Sequence, residues 1–250
     1  MTKIDTSYII PPVDRALILE ELNEDRFLRE TNRAGNLIYA VNHVNAPNVM
    51  REIGRLRELT FAVAGGGTGN PVDIDEQDTA DVCYEQLIVF SPEDQVIMGG
   101  YRYIDCAKAV SKDKHELSTS HYFNFSEDFE KNYLPYAIEL GRSWVNPLFQ
   151  PSVNPRKGLF ALDNLWDGLG AIVLLHPNMK YFFGKVTMYS SYNEQAKRAV
   201  LGFMKDWKFE MPWLTCVWWL AVMMMRLLSG SLIPRSEGLG QKPWTASARL

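Results

Sequence analysis

Along this chain the spacing of apolar positions switches between a helical and an alternating period, and each switch predicts an element. Over residues 48–63 the apolar positions Val49, Ile53, Leu56, Leu59 or Thr60, and Val63 recur at the interval of one helix face. Asn48 is expected to cap that helix, and Glu52 to complement its dipole from the first turn. The run Gly65-Gly66-Gly67-Thr68-Gly69 stops it and suits a flexible joint. Earlier, residues 15–22 fit a short helix after an extended Ile9-Ile10-Pro11-Pro12, and LIYAV at 37–41 has strand composition. QLIVF (86–90) and VIMGGYRYI (96–104) read as two strands joined by a Ser-Pro-Glu-Asp hairpin turn. A polar stretch, 105–128, precedes a third strand candidate, IELGRSWV at 138–145. A helix from about 160 to 175, a strand YFFGKVTM at 181–188 and a helix over 194–204 complete the pattern. This order predicts an α/β fold with a mixed sheet. The expected organisation is an N-terminal extension (1–47), one main domain (48–205) and an atypical hydrophobic tail (206–250).

Composition adds limits. At 250 residues, 46% hydrophobic and 22% charged, the chain is ordinary for a globular protein. A net charge of −4 gives no bulk reason to expect nucleic-acid binding. Cys83, Cys106 and Cys216 lack metal or disulfide spacing and read as small core residues of a reducing compartment. The first twenty residues hold no continuous apolar segment and carry acidic residues early, unlike a signal peptide.

Several chemistries are disfavoured. The chain has no G-x-x-x-x-G-K-[ST], no G-x-S-x-G and no H-E-x-x-H, and none of its four histidines has an aspartate five positions on. No metal site is expected. The glycine run follows a helix, whereas a phosphate cradle follows a strand and opens a helix.

What remains is charge where side chains should be buried. Arg57 lies late on the first helix, Asp73, Asp75 and Asp78 crowd one loop, and Arg102 interrupts an apolar strand. Glu139 and Arg142 share a strand, facing opposite sides unless a bulge intervenes. Charges are rarely buried unpaired, so these residues can form a polar network. That network has two readings: ion pairs that fix strand register, or the frame of a site.

Taken together and in order, Arg57-x-x-x-Phe61, Asp73-x-Asp75-x-x-Asp78, Gly99-Gly100-Tyr101-Arg102 and Glu139-Leu-Gly-Arg142 resemble a subgroup of the GNAT acyltransferase superfamily. That subgroup holds the acyl-homoserine lactone synthases and the ornithine and glycine N-acyltransferases. The stretches REIGRLRELTF, EQLIVF, GGYRYI, IELGRSWV, ALDNLWDGLGA and KYFFGKVTMY look like a Bacteroidetes branch often labelled hemolysin. The resemblance spans residues 5–205. It implies a GNAT-like mixed, splayed central sheet flanked by helices, with pantetheine threading between the strand ending at Val145 and the one beginning near Tyr181.

The implied reaction moves a long, 3-hydroxylated acyl chain from acyl carrier protein, or from acyl-CoA, to the amine of glycine or ornithine. No cofactor is held permanently, since the phosphopantetheine thioester is the donor substrate. By the same resemblance, Glu139 orients the amine and accepts its proton, and Arg142 holds Glu139 or the acceptor's carboxylate. Arg57, Phe61, Asp75, Asp78 and Arg102 border the acceptor. The backbone of Arg142, Ser143, Trp144 and Val145 meets the pantetheine amides, and Arg156, Lys157 and Gly158, in the loop before the helix near Phe160, meet its phosphate. A GNAT phosphate loop usually reads Gln/Arg-x-x-Gly-x-Gly/Ala, and Arg156-Lys157-Gly158-Leu159 departs from it. Implied partners are acyl carrier protein and a small amino acid, in the cytoplasm or at the inner face of the membrane.

After residue 205 the resemblance ends. The run MPWLTCVWWLAVMMMRLL, from Met211 to Leu228, is shorter than a usual spanning helix and gives way to a Ser/Gly/Pro/Arg-rich end. It reads as a shifted reading frame, a hydrophobic helix docked on the core, or a membrane-surface anchor. The rival functions are an acetyl-CoA-dependent acetyltransferase and a membrane-active, hemolysin-like protein.

Overall fold

A computed structural model describes residues 5–109, 117–185 and 192–206. In chain order its elements are α1 (Arg15–Glu21), β1 (Phe27–Glu30), β2 (Leu37–Val41), α2 (Pro47–Val63), α3 (Glu76–Thr79), β3 (Glu85–Ser91), β4 (Val96–Asp105), α4 (Cys106–Ala109), α5 (Glu127–Asn132), β5 (Ala137–Val145), α6 (Pro155–Leu175), β6 (Tyr181–Gly184) and α7 (Glu194–Asp206). Short 3₁₀ turns lie at Ser118–His121, Leu134–Tyr136 and Pro147–Phe149. The strands follow the order β1-β2-β3-β4-β5-β6. The pairings β1–β2, β2–β3 and β3–β4 are antiparallel, whereas β5–β6 is parallel, with α6 as the connecting helix. This is the mixed α/β architecture that the sequence pattern predicts, and it agrees with a GNAT fold.

The described chain divides into two compact units. The first comprises residues up to 103 together with 142–177. Its core is built from α1, α2 and one face of the sheet, where Ile18, Val41, Ile53, Ile88, Ile97 and Trp144 are buried together. The described part of the expected N-terminal extension, residues 5–47, contributes to it directly, because β2 pairs with β3 from Leu37↔Phe90 to Val41↔Gln86. The strand β1 has no clear signature in the sequence; it is four residues long, with no buried position.

The first long helix starts at Pro47, and Asn48 is not its cap. The N-cap residue is Ala46, which offers no side-chain bond. The Glu21 carboxylate at the end of α1 takes that place, accepting the N–H groups of Asn48 (3.1 Å) and Val49 (2.8 Å) and the Asn48 amide at 2.7 Å. Pro47, pre-shaped for the first helical position, pushes Asn48 inside the helix, and a carboxylate over the first turn meets both the orphan amides and the dipole.

β3 and β4 are buried along nearly their whole length. Glycines in β4 let its neighbours approach: a Cβ on Gly99 would lie 2.6 Å from the Trp144 carbonyl oxygen, and one on Gly100 would lie 2.5 Å from the Leu87 carbonyl oxygen. Both obstacles are backbone. Gly99→Ala is therefore expected to cost about 1–3 kcal/mol of stability, read as a lower denaturant midpoint. An unchanged midpoint would show that β5 yields there freely.

The second unit comprises residues 104–141 and the described part of the chain after 177. There β5 pairs with β6 from Ala137↔Tyr181 to Leu140↔Gly184. Its core is aromatic: Phe129 lies edge-on to Phe183 (centroids 5.6 Å apart) and stacks with Tyr133 at 6.1 Å. Val186, Thr187 and Met188, expected to continue the last strand, lie outside the described residues, as does the run from Met211 to Leu228.

Candidate active site

The misplaced charges of the first unit converge on one network. Arg57, on the buried face of α2 and with no exposed surface, points its Nε to Asp73 (3.1 Å) and its Nη1 to both oxygens of Asp78 (3.3 and 3.1 Å). Arg102, from β4, reaches Asp75 at 2.6 Å and Asp78 at 3.1 Å through Nη1, and its guanidinium lies 4.8 Å from the centre of the Tyr84 ring. Arg142 closes the set, with Nε 3.1 Å from Asp73 and Nη2 3.4 Å from Asp75. Gln86 donates to Asp78 at 3.0 Å. Three guanidinium groups thus face three carboxylates, so the cluster is neutral, with Arg57, Asp73, Asp78 and Arg102 buried. Among the described residues no group of His, Cys, Asp and Glu side chains is placed to hold a metal ion.

Local sequence sets this geometry. Asp75 and Asp78 form a reciprocal capping box on α3: the Asp78 N–H donates to Asp75 Oδ1 at 3.2 Å, and the Asp75 N–H donates to Asp78 Oδ2 at 3.1 Å. The same two carboxylates are thereby aimed at the arginines. Arg142 has φ +49°, a left-handed conformation unusual for a side chain of its kind, which breaks the alternation of β5. The Asp73 and Asp75 carboxylates hold it there.

The network has an inside and an outside. Arg57, Asp73, Asp78 and Arg102 are buried, while the Asp75 and Arg142 side chains keep 29% and 30% of their surface exposed. Of these six charged groups, only that outer pair keeps surface to offer a solute. Burial pushes the Asp75 carboxyl up, but the Arg102 hydrogen bond and the charges of Arg102, Arg142 and Arg57 outweigh it, and the net shift is downward. A carboxylate with a depressed folded value supplies stability above the ordinary range near about 4, which is lost as pH falls through that depressed value. Stability is therefore expected to fall as pH drops below the ordinary carboxylate range, and Asp75→Asn should flatten that drop. An equally steep acid loss in the variant, measured by denaturant melts across pH, would contradict this.

The glycine run after α2 is tied down. Buried Glu58 accepts the Thr68 N–H (2.9 Å) and hydroxyl (2.6 Å), the Gly69 N–H (2.9 Å) and the Tyr8 hydroxyl (2.8 Å). The expected flexible joint is thus a clasped loop, and Glu58 was not legible as its clasp because its partners are scattered along the chain. Phe61 packs partly buried against the hydrophobic core.

Farther along, Trp144 is buried in that core, Ser143 is exposed, and the Val145 carbonyl oxygen lies 3.5 Å from the Thr60 hydroxyl. Arg156, Lys157 and Gly158 do not lie in a loop before the helix. α6 starts at Pro155, with Asn154 capping it through the Lys157 N–H at 3.1 Å, so the three residues form its first turn. Lys157 donates to both oxygens of Asp94 at 2.7 Å, Arg156 is exposed, and a Cβ on Gly158 would lie 2.6 Å from the Pro151 nitrogen.

In the second unit Glu139 is buried on β5, 1% exposed. Its Oε1 accepts the Thr119 N–H and its Oε2 the Thr119 hydroxyl, each at 3.1 Å. The Cys106 thiol stands close by; burial pushes its pKa well up and the Glu139 charge adds to that, keeping it protonated. Asp73, Gln86 and Thr119 are members of these arrangements that sequence reasoning did not place in the site. Asp73 was visible as part of the acidic loop; Thr119 sits in a polar stretch with no periodic signal.

Residues 56–156 match the family model described as an acetyltransferase (GNAT) domain, a span that includes Arg57, the three aspartates, Arg102, Glu139 and Arg142. The chain is also similar to a protein named glycine N(alpha)-acyltransferase from Bacteroides thetaiotaomicron, 56% identical over 200 residues, covering 79% of this chain and 59% of that protein. A protein of the same name from Phocaeicola vulgatus is 52% identical over 199 residues, covering 78% of this chain and 61% of that protein. Residues 56–156 are thus similar to a GNAT acetyltransferase domain, and the chain spans about three-fifths of the length of these curated relatives. No solved structure matches it.

Proposed function

We propose that this chain is an N-acyltransferase that moves a fatty acyl group from a phosphopantetheine thioester to the amine of glycine. The observation that carries the proposal is the GNAT domain match, which spans a buried, hydrogen-bonded carboxylate on β5 and the arginine–aspartate cluster, supported by relatives named glycine N(alpha)-acyltransferase. The names favour glycine over ornithine as the acceptor.

In this reaction the amine nitrogen attacks the thioester carbonyl carbon, the tetrahedral oxyanion collapses, and the carbon–sulfur bond breaks. The nitrogen's proton must leave for the amide to form, and the thiolate takes up a proton in turn. A thiol leaves without strong acid help, so the protein's work is alignment and proton acceptance. Glu139 accepts the amine's proton, directly or through water. The arginine–aspartate cluster acts as a frame: its buried members fix α2, α3, β3 and β4 relative to one another.

The donor is a long-chain acyl group, 3-hydroxylated in the fullest form of the proposal, on acyl carrier protein. The reaction then lies in the cytoplasm, where such thioesters form. The test is purified chain incubated with labelled glycine or labelled ornithine and with long-chain acyl-ACP, long-chain acyl-CoA or acetyl-CoA. N-acylglycine formed from the long-chain donor is the expected product. Acylornithine would overturn the acceptor, and acetylglycine from acetyl-CoA alone would make the chain an acetyltransferase.

A further inference from the structure

Resting on the reading that Glu139 accepts the amine's proton, we propose that Thr119 is the positioning residue that sets Glu139 in its working orientation. Thr119 is the second residue of the 3₁₀ turn Ser118–His121 and is 1% exposed. Its amide and its hydroxyl engage the two oxygens of the same carboxylate, both at 3.1 Å. A carboxylate's terminal torsion is broad, so a single hydrogen bond leaves it free to swing; two bonds from one residue fix its plane.

The donor pair is itself rigid. The Thr119 carbonyl accepts the N–H groups of Tyr122 and Phe123, both at 3.0 Å. Next to it, Ser120 donates to the Leu117 carbonyl through its N–H (3.0 Å) and hydroxyl (2.7 Å), and Leu117 is fully buried. Branching at Cβ limits the Thr119 hydroxyl to few rotamers. A buried carboxylate needs such fixed donors in place of water, and a proton acceptor works only when its lone pair is aimed.

The test compares wild type with Thr119→Val, Thr119→Ser and Glu139→Gln in steady-state kinetics with glycine and a long-chain thioester. Thr119→Val keeps the branch and the amide but loses the hydroxyl. It is expected to lower kcat about 10- to 100-fold, with both KM values within about two-fold of wild type, while Thr119→Ser stays within about three-fold. Wild-type kcat in Thr119→Val, a loss confined to KM, or a serine variant as impaired as the valine one would overturn the proposal. Should Thr119→Val fail to fold, Thr119→Ala set against Thr119→Ser makes the same comparison. Full activity in Glu139→Gln would sink the reading beneath; an inactive Glu139→Gln beside a fully active Thr119→Val would sink this inference alone.

Discussion

Arg57→Ala is expected to lower the free energy of unfolding by about 3–5 kcal/mol, a large fraction of what a domain of this size possesses. The reason is what it leaves behind. Arg57 has no exposed surface, and its two partners, Asp73 and Asp78, are 2% and 0% exposed. Removing the cation strands their charges without water to replace it, and the penalty is the desolvation of the carboxylates together with a cavity in α2. Arg102 still touches Asp78 and Arg142 still touches Asp73, which keeps the loss within that range. Denaturant melts should show a lower midpoint with an unchanged slope. Lys131→Ala, which breaks an exposed ion pair with Glu127, is the control and should leave the midpoint where it is. A midpoint shift no larger than the control's would mean the cluster is wetter and looser than its geometry indicates.

The second large effect concerns turnover. Glu139→Gln is expected to lower kcat by a factor of about 10² to 10⁴ while leaving the fold in place. Glutamine keeps the volume and one oxygen acceptor for Thr119, but its amide nitrogen cannot take a proton. Because Glu139 is buried among hydrogen-bond donors, the neutral replacement does not leave a charge stranded. The effect should therefore appear in kcat, with the melting temperature near that of wild type. A variant that melts like wild type and turns over at full rate would remove Glu139 from the mechanism.

Much of the fold is written locally. QLIVF and VIMGGYRYI become β3 and β4 because β-branched and aromatic runs bounded by a turn have no better use than a buried strand. The helix over 48–63 follows from its apolar spacing alone. The charge cluster was also legible, since Arg57, Asp78 and Arg102 stand where a fold buries side chains. Their partnerships were not, because Arg57 meets Asp73 and Asp78 across sixteen and twenty-one residues, distances that only the tertiary fold closes. For the same reason the Glu21 cap, twenty-seven residues from Asn48, gave no local sign. The left-handed turn at Arg142 escaped too: it is held by ion pairs, with no glycine at that position to signal it. The start of α6 was placed five residues late, past its leading proline, and the salt bridge of Lys157 to Asp94 closes across sixty-three residues, so neither was legible.

The most direct measurement is mass spectrometry of lipid extracts from a heterologous bacterial host expressing this chain, beside the Glu139→Gln variant. The account predicts acylated glycine in the wild-type extract and none in the variant's, with both proteins soluble and folded. Its absence from both, or its equal presence in both, would contradict the central claim that this chain acylates glycine through Glu139.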